Sequence, residues 1–275
     1  MPELTLFAYT ISPYAAKVRA ILAWKGLPFR EIVVHPLRRG EIRRKSGQSL
    51  VPVLEDGSRV VADSTRIAAY LDEAYPEKPI VPADPRLAAQ VRLLEEWADE
   101  GLAHVVQPVR WLIRGNFART AAQMRQGYAP GRANDLLFST LAHAARLEVA
   151  RKHGPRLGFG SPARHLNRLA EVLDYLDGAI APSGWLVGEA PSVADFACAG
   201  WISLLRSLDG WETVRMRRKV VKLANALIPE PKEARESGKE TSRPSNNDPE
   251  KESFDAETQA VIDASRLRRA SQGKI

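Results

Sequence analysis

The side chain best placed for chemistry near the start of the chain is Ser12, in the run Ser12-Pro13-Tyr14-Ala15. An apolar run, Leu4 to Ala8, precedes it and reads as a buried strand. Ala15 to Trp24 follows and reads as a helix, with Val18, Ile21 and Leu22 on one face. Ser12 is suited to cap that helix and Pro13 to occupy its first position. The same placement sets a hydroxyl among unpaired backbone N–H groups at the positive end of a helix, a setting that can hold a thiolate. Ser12 therefore reads either as a plain cap or as the donor to an anion. A second hydroxyl of this kind is Ser64, after Asp63 and ahead of a predicted helix over Thr65 to Tyr75 with Ile67, Tyr70 and Leu71 on one face. Ser64 and the N–H groups around it can bind a carboxylate. Between the two, Arg38, Arg39, Arg43, Arg44 and Lys45 form a basic loop and short helix. They read singly as solvated surface and as a group as an attraction for a small carboxylate ligand.

Other chemistries find little support. The five histidines, His35, His104, His143, His153 and His165, lack paired zinc-ligand spacing, so no metal is expected. No glycine fingerprint of a dinucleotide site and no Gly-x-Ser-x-Gly elbow occurs. The glycines between Gly154 and Pro162 follow no strand and lead to no Gly-Lys-Ser/Thr, so they read as a flexible connection. The single cysteine, Cys198, lies in an apolar helical stretch and reads as a buried structural thiol, which rules out a disulfide framework. The net charge is +7, but Lys and Arg are spread along the chain, so nucleic acid is not expected as a partner. The N-terminus shows no signal-peptide pattern and no stretch is long and apolar enough for a membrane span. The expectation is a cytoplasmic protein.

The elements that must position these hydroxyls follow in order. Phe29 to Val34 reads as a second strand, parallel to the first because a helix crosses between them. Val51 to Ala62 reads as a hairpin about Asp56-Gly57, with Pro52 where no ladder donor is needed. Four prolines between Tyr75 and Pro85 mark a linker. Helical periodicity then runs from Arg86 to about Ile113, with Gly101 and Pro108 threatening a break. Further helices are predicted over Thr120 to Ala129, Asn134 to Lys152 and Ala163 to Ala179. Ser192-x-x-Asp195 has capping-box spacing ahead of another helix, so Asp195 reads as structural. From Pro229 the chain is rich in Lys, Glu, Ser, Pro and Asn and is expected to be disordered, with a terminal helix over Asp255 to Ala270.

This order resembles the glutathione transferase superfamily, in which a thioredoxin-like domain precedes an all-helical one. Three features carry the likeness: Ser12-Pro13-Tyr14-Ala15 in the place of a Cys-Pro-Tyr-Cys type of motif, the Val51-Pro52 strand start, and the Asp63-Ser64 pair. The resemblance implies an α/β domain of order β-α-β-α-β-β-α over residues 1–78, a linker over 79–85, an all-α domain over 86–228 and a charged tail over 229–275. It implies glutathione as co-substrate, added as a thiolate to a small electrophile, and a homodimer. Ser12 would activate the sulfur, with Tyr9 the alternative. A cis Val51–Pro52 bond would offer the Val51 backbone to the cysteinyl part. Ser64 would take the γ-glutamyl carboxylate with Asp63 near its ammonium, the basic loop near Arg38 would serve the glycyl carboxylate, and Tyr14 is a further candidate contact. Residues 112–162 match the family poorly.

Within the superfamily, Pro36 to Ile42 followed by Val51-Pro52, and Lys17-Val18-Arg19-Ala20, are similar to the membrane-associated prostaglandin E synthase of the second type, a glutathione-dependent isomerase. That group has cysteines in the motif where this chain has Ser12 and Ala15. The same fold also serves as a non-catalytic scaffold or interaction module, for which residues 112–162 and the charged tail would be suited.

Overall fold

A computed structural model of the chain describes residues 4–157 and 161–230. The tail and its expected terminal helix lie outside the described residues. Residues 4–74 contain one four-stranded sheet, in the order β2-β1-β3-β4. Strand β1 (Leu4–Ala8) is buried at every position. It lies parallel to β2 (Phe29–Val33), with Leu4 opposite Phe29 and Ala8 opposite Val33. The crossover is α1 (Pro13–Lys25), capped by Ser12 and closed by Gly26 at φ 70°. That left-handed conformation is one glycine adopts without steric cost. A 3₁₀ turn (Pro36–Arg38) and α2 (Arg39–Ser46) carry the basic run. The hairpin is β3 (Val53–Asp56) and β4 (Arg59–Ala62), antiparallel to each other, with β3 also antiparallel to β1. Helix α3 (Ser64–Ala74) follows β4 directly and begins one residue earlier than its apolar periodicity suggests, because Asp63 takes the cap.

The helical half departs from its predicted outline in three places. The long periodic stretch is α4 (Pro85–Trp97) and α5 (Ala103–Trp111), joined by a π-helical turn, Ala98–Leu102, that contains Gly101. Pro108 sits within α5 and does not break it. Helix α6 spans Arg114–Arg125, so it begins and ends before the predicted Thr120 to Ala129. Helix α7 (Arg132–Leu157) continues through Gly154 and Pro155, replacing the front of the expected connection. Extending a formed helix adds a hydrogen bond per residue, which is easier than starting one and outweighs a weak residue near the end. The rest is α8 (Pro162–Ala179), α9 (Val193–Ser203), α10 (Trp211–Arg215) and α11 (Arg218–Leu227).

Helix α9 explains how the halves join. Its ten residues Val193 to Ile202 are all buried, as expected of a helix apolar on every side. Asp195 is kept inside by its bonds, accepting from the Ser192 and Leu186 N–H groups and from the Ser192 hydroxyl at 2.7–2.8 Å. Burial still raises its carboxyl above the ordinary range. Cys198 is fully buried on the same helix, and burial pushes its thiol up. One continuous apolar core runs from Leu6, Val18 and Ile21 through Ala197 and Trp201 to Leu169 and Leu223. Gly200 of α9 faces α1 so closely that a methyl group there would stand 2.7 Å from the Pro13 carbonyl oxygen. Among the described residues no helix is long and apolar enough to cross a membrane.

Candidate functional site

The topology brings the predicted residues to one edge of the sheet. Strands β1 and β2 run toward that edge, β3 starts from it and β4 returns to it. The segments emerging there, in sheet order, are Val34 to Arg39, Tyr9 to Ser12, Val51–Pro52 and Asp63–Ser64. Tyr9 and Val51 pack on the same small cluster of Phe7, Val34, Ile42 and Val53.

At this edge Ser12 does what its sequence position suggests. Its Oγ accepts from the Ala15 N–H at 3.2 Å, and its own N–H donates to the Tyr9 carbonyl at 3.3 Å. The hydroxyl proton has no acceptor among the described residues, so the group can still donate. The Val51–Pro52 peptide bond is cis. The Pro52 carbonyl accepts from the Asp63 N–H at 3.4 Å, while the Val51 N–H and C=O make no backbone hydrogen bond among the described residues.

Asp63 has φ 83° and ψ 131°, outside the usual range for a non-glycine residue. Such a conformation costs about 1–3 kcal/mol and needs neighbours that hold it. Here its Oδ1 accepts from the Thr65 and Arg66 N–H groups at 3.0 and 3.1 Å. Ser64 is consequently set at the first position of α3, 5% exposed, with its hydroxyl unbonded among the described residues.

The remaining candidates are more committed. The Tyr9 hydroxyl accepts from Arg39 Nε at 3.0 Å, and the Arg39 guanidinium lies 5.8 Å from the Tyr9 ring centre. The Tyr9 carbonyl takes Arg19 Nη2 at 3.1 Å. Arg38 is exposed and only 4.0 Å from Glu41, so Arg39 is the member of the basic run joined to the site. Tyr14 turns into the interface between the halves, donating to the Asp99 carbonyl at 3.2 Å and meeting the Trp201 ring edge-on at 5.6 Å. Burial first, then the charges of Asp99, Glu100 and Asp63, push its hydroxyl up to about 12.

Residues that sequence reasoning did not place near the site support it from behind. Lys17 is fully buried, 2.5 Å from Glu95 Oε1, 2.9 Å from Asp99 Oδ2 and 3.4 Å from Thr65 Oγ1. Thr65 Oγ1 donates to the same Glu95 oxygen at 2.9 Å. The cluster ties α1 and the first turn of α3 to α4. Burial raises the Asp99 carboxyl, against the lowering effect of Lys17. Its sequence signal is a lysine on an apolar face, at the i, i+3, i+4, i+7 spacing of Tyr14, Lys17, Val18 and Ile21.

Residues 112–162 also reach this edge. The Tyr128 hydroxyl donates to the Val34 carbonyl at 2.8 Å, and Thr10 Oγ1 to the Gln126 carbonyl at 3.0 Å. His35 stands edge-on to Tyr128 and Phe138 at 5.6 and 6.1 Å. Tyr128 of the α6–α7 connection and Phe138 of α7 thus pack as an aromatic group against His35.

A cleft of about 990 Å³ opens beside Thr10 and Ile11, between α1 and the ends of α9 and α11. A second cavity, of about 530 Å³, lies away from the sheet edge between Trp97, His104 and Arg168. Among the described residues no group of three His, Cys, Asp or Glu side chains could hold a metal ion.

Comparison with known proteins agrees with this architecture. A relative named glutathione S-transferase Z1, from Arabidopsis thaliana, is 40% identical over 86 residues, covering 30% of this chain and 39% of that protein. A probable maleylacetoacetate isomerase from Vibrio cholerae is 35% identical over 100 residues, covering 34% and 46%. The matches span less than half the length of these relatives. A glutathione S-transferase from Methylobacterium radiotolerans, solved in complex with glutathione sulfonate, superposes with a TM-score of 0.51 at 21% identity, over 90% of this chain and 98% of that one. The glutathione S-transferase N-terminal domain family matches residues 6–79 and its C-terminal domain family residues 95–222. With both family regions present in order, on a thioredoxin-like sheet followed by helices, this chain belongs to the glutathione transferase superfamily.

Proposed function

We propose that the chain is a glutathione-dependent enzyme that stabilises the glutathione thiolate at Ser12 and adds it to a small electrophile. The observation that carries this reading is a set of unused hydrogen-bonding groups at one sheet edge. The Ser12 hydroxyl proton, the Val51 peptide groups and the Ser64 hydroxyl are all without partners among the described residues. Ser64 is buried and Ser12 and Val51 are half-buried, so three unpaired groups gathered at one place leave donors and acceptors open to a ligand. Their chemistry fits glutathione. An extended cysteinyl unit pairs with the Val51 backbone. The γ-glutamyl carboxylate meets the Ser64 hydroxyl and the start of α3, where the helix dipole favours negative charge. Asp63 stands near the γ-glutamyl ammonium, and Arg39 offers a cation toward the glycyl carboxylate.

Glutathione supplies the sulfur nucleophile, and the protein's task is to keep it ionised and aimed. A free thiol has a pKa of about 8.5. A hydrogen bond to a charged group is worth about 1.5–3 kcal/mol, which lowers a thiol pKa by about one to two units. Ser12 cannot form a disulfide and Ala15 offers no resolving thiol. The reaction is accordingly thiolate addition to carbon, with little thiol–disulfide exchange. A retained adduct gives a transfer reaction, and expulsion of the sulfur after rotation of the adduct gives an isomerisation.

The test combines calorimetric titration of glutathione with the pH profile of bound thiolate absorbance. Wild-type protein should bind glutathione with a depressed thiol pKa. Ser12→Ala should raise that pKa by about one to two units with a smaller effect on binding. Absence of glutathione binding refutes the reading, and identical thiolate profiles in the two proteins transfer the role from Ser12 to another group, Tyr9 first.

A further inference from the structure

We propose that Arg110 is a positioning residue of the thiolate site, a buried guanidinium of the helical half whose uncompensated charge bears on the Ile11–Ser12 turn. This rests on the reading that an anion forms at Ser12. Arg110 lies on α5 and is 1% exposed. Its Nη2 donates to the Ile11 carbonyl at 3.4 Å, and its Nε has no hydrogen-bond partner among the described residues. The guanidinium lies 5.9 Å from the Trp111 ring centre, and no carboxylate among the described residues forms an ion pair with it. Burial lowers its pKa to about 10, which leaves it charged at neutral pH.

The other buried cations of the fold are satisfied differently. Arg217 meets both oxygens of Asp174, at 3.0 and 2.8 Å, together with the Thr213 and Ala170 carbonyls. Lys17 meets two carboxylates. A buried charge is costly when unpaired, and removing one member of a pair leaves that cost exposed. Arg110 alone among these three has no negative partner within the described chain, and its one bond goes to the residue that precedes Ser12. Standard bond lengths then place the guanidinium within about 10 Å of the Ser12 hydroxyl. At that separation, in an effective dielectric of about 20, an opposite charge shifts a pKa by about one to one and a half units.

Several ionisable groups on the elements packed against α5 are engaged elsewhere or held neutral. Arg119 of α6 pairs with Asp209, and Arg146 of α7 lies over the Phe117 ring. His165 of α8 is held toward its neutral form by burial. Asp195 of α9 is bonded to Ser192 and Leu186, and Asp99 of the π turn faces Lys17. On the sheet side of Ser12, Arg19 is paired with Glu31 and Arg39 is bonded to the Tyr9 hydroxyl. The Arg110 charge is thus left to act on the turn it touches.

The test uses a thiol placed in the chain itself and needs no glutathione. The full-length Ser12→Cys variant is prepared alone, with Arg110→Met and with Arg110→Lys. Its alkylation rate by iodoacetamide is followed against pH. Cys198 is fully buried, so the introduced thiol is the reactive one. Ser12→Cys should show a thiol pKa below the ordinary value of about 8.5. Arg110→Met should raise it by about one unit, a tenfold loss of thiolate below both pKa values, and Arg110→Lys should restore most of the depression. An unchanged profile in a folded Arg110→Met protein overturns the proposal. So does an ordinary pKa in Ser12→Cys alone, a result that does not depend on an Arg110 variant folding. Failure of the wild-type protein to bind glutathione would count against the proposed function and leave this measurement intact.

Discussion

At the scale of single residues, the ammonium of Lys17 is a buried charge held on several sides. It sits between Glu95 and Asp99, with side chains 5% and 13% exposed, and touches Thr65 one residue beyond Ser64. Removing one partner from a buried ion pair typically costs about 3–5 kcal/mol, because the other charge stays buried and unmatched. Lys17→Met should lower stability by about that amount, read from urea unfolding midpoints. Adding Glu95→Gln should recover part of the loss. Equal midpoints for wild type and Lys17→Met would show that the cluster is hydrated enough to tolerate a missing cation. The lysine itself was visible in the sequence as a charge on an apolar helical face. Its partners are 78 and 82 residues further on, and nothing in local periodicity links them. Arg110 raises the same difficulty, since Val106, Val109, Arg110 and Ile113 share one face and only the folded chain shows what that arginine touches.

At the scale of elements, local signals were read well where the chemistry is local. Ser12 before Pro13, the hairpin turn and the Ser192–Asp195 cap each depend on residues within a few positions of one another. The misplaced elements are those whose limits depend on packing. Helix α6 starts at Arg114 with no side-chain cap bond, and is instead joined to the rest by Asn116, which accepts from the Asp209 N–H at 2.8 Å and donates to the Val109 and Asp209 carbonyls at 2.9 Å. The contact between α1 and α9 carries a sharp expectation. Gly200→Ala would bring a methyl to 2.7 Å from the Pro13 backbone oxygen, which can relieve the contact only if the two helices separate. Overpacking of this kind costs about 1–3 kcal/mol, so the midpoint should fall and the start of α1, with Ser12, should shift. Thermal unfolding together with glutathione affinity reads both effects. An unchanged melting temperature would mean that the helices already have room.

At the scale of the whole molecule, four tyrosines tie ionisation to folding. Burial first of all, with Asp99, Glu100 and Asp63, raises Tyr14 to about 12. Burial, then Tyr9, does the same for Tyr128. Tyr70 is raised to about 12 by burial and its bond to Asp56, and Tyr75 by its bond to Asp56 and burial. Each folded-state value lies above the ordinary value of about 10, so between these limits the unfolded chain loses its protons first. The folded state then binds more protons, and stability falls as pH rises through that window. Spectrophotometric titration should show these phenols ionising later in native protein than in urea, with the unfolding midpoint dropping between about pH 9 and about pH 11. Coincident native and denatured titration curves would contradict this.

The near-absence of free space between Gly200 and Pro13 bears on a question of parts. Sheet-bearing and helical halves look like interchangeable modules when the chain is drawn as a line. In space they are keyed: α9 of one half leaves a hollow the width of a missing methyl, and the first turn of α1 from the other half fills it. The residue that begins that turn is Pro13, directly after Ser12. A hybrid made by splicing this sheet onto another protein's helices would therefore inherit the geometry of its Ser12 turn from whatever stands at the Gly200 position, far outside the spliced segment.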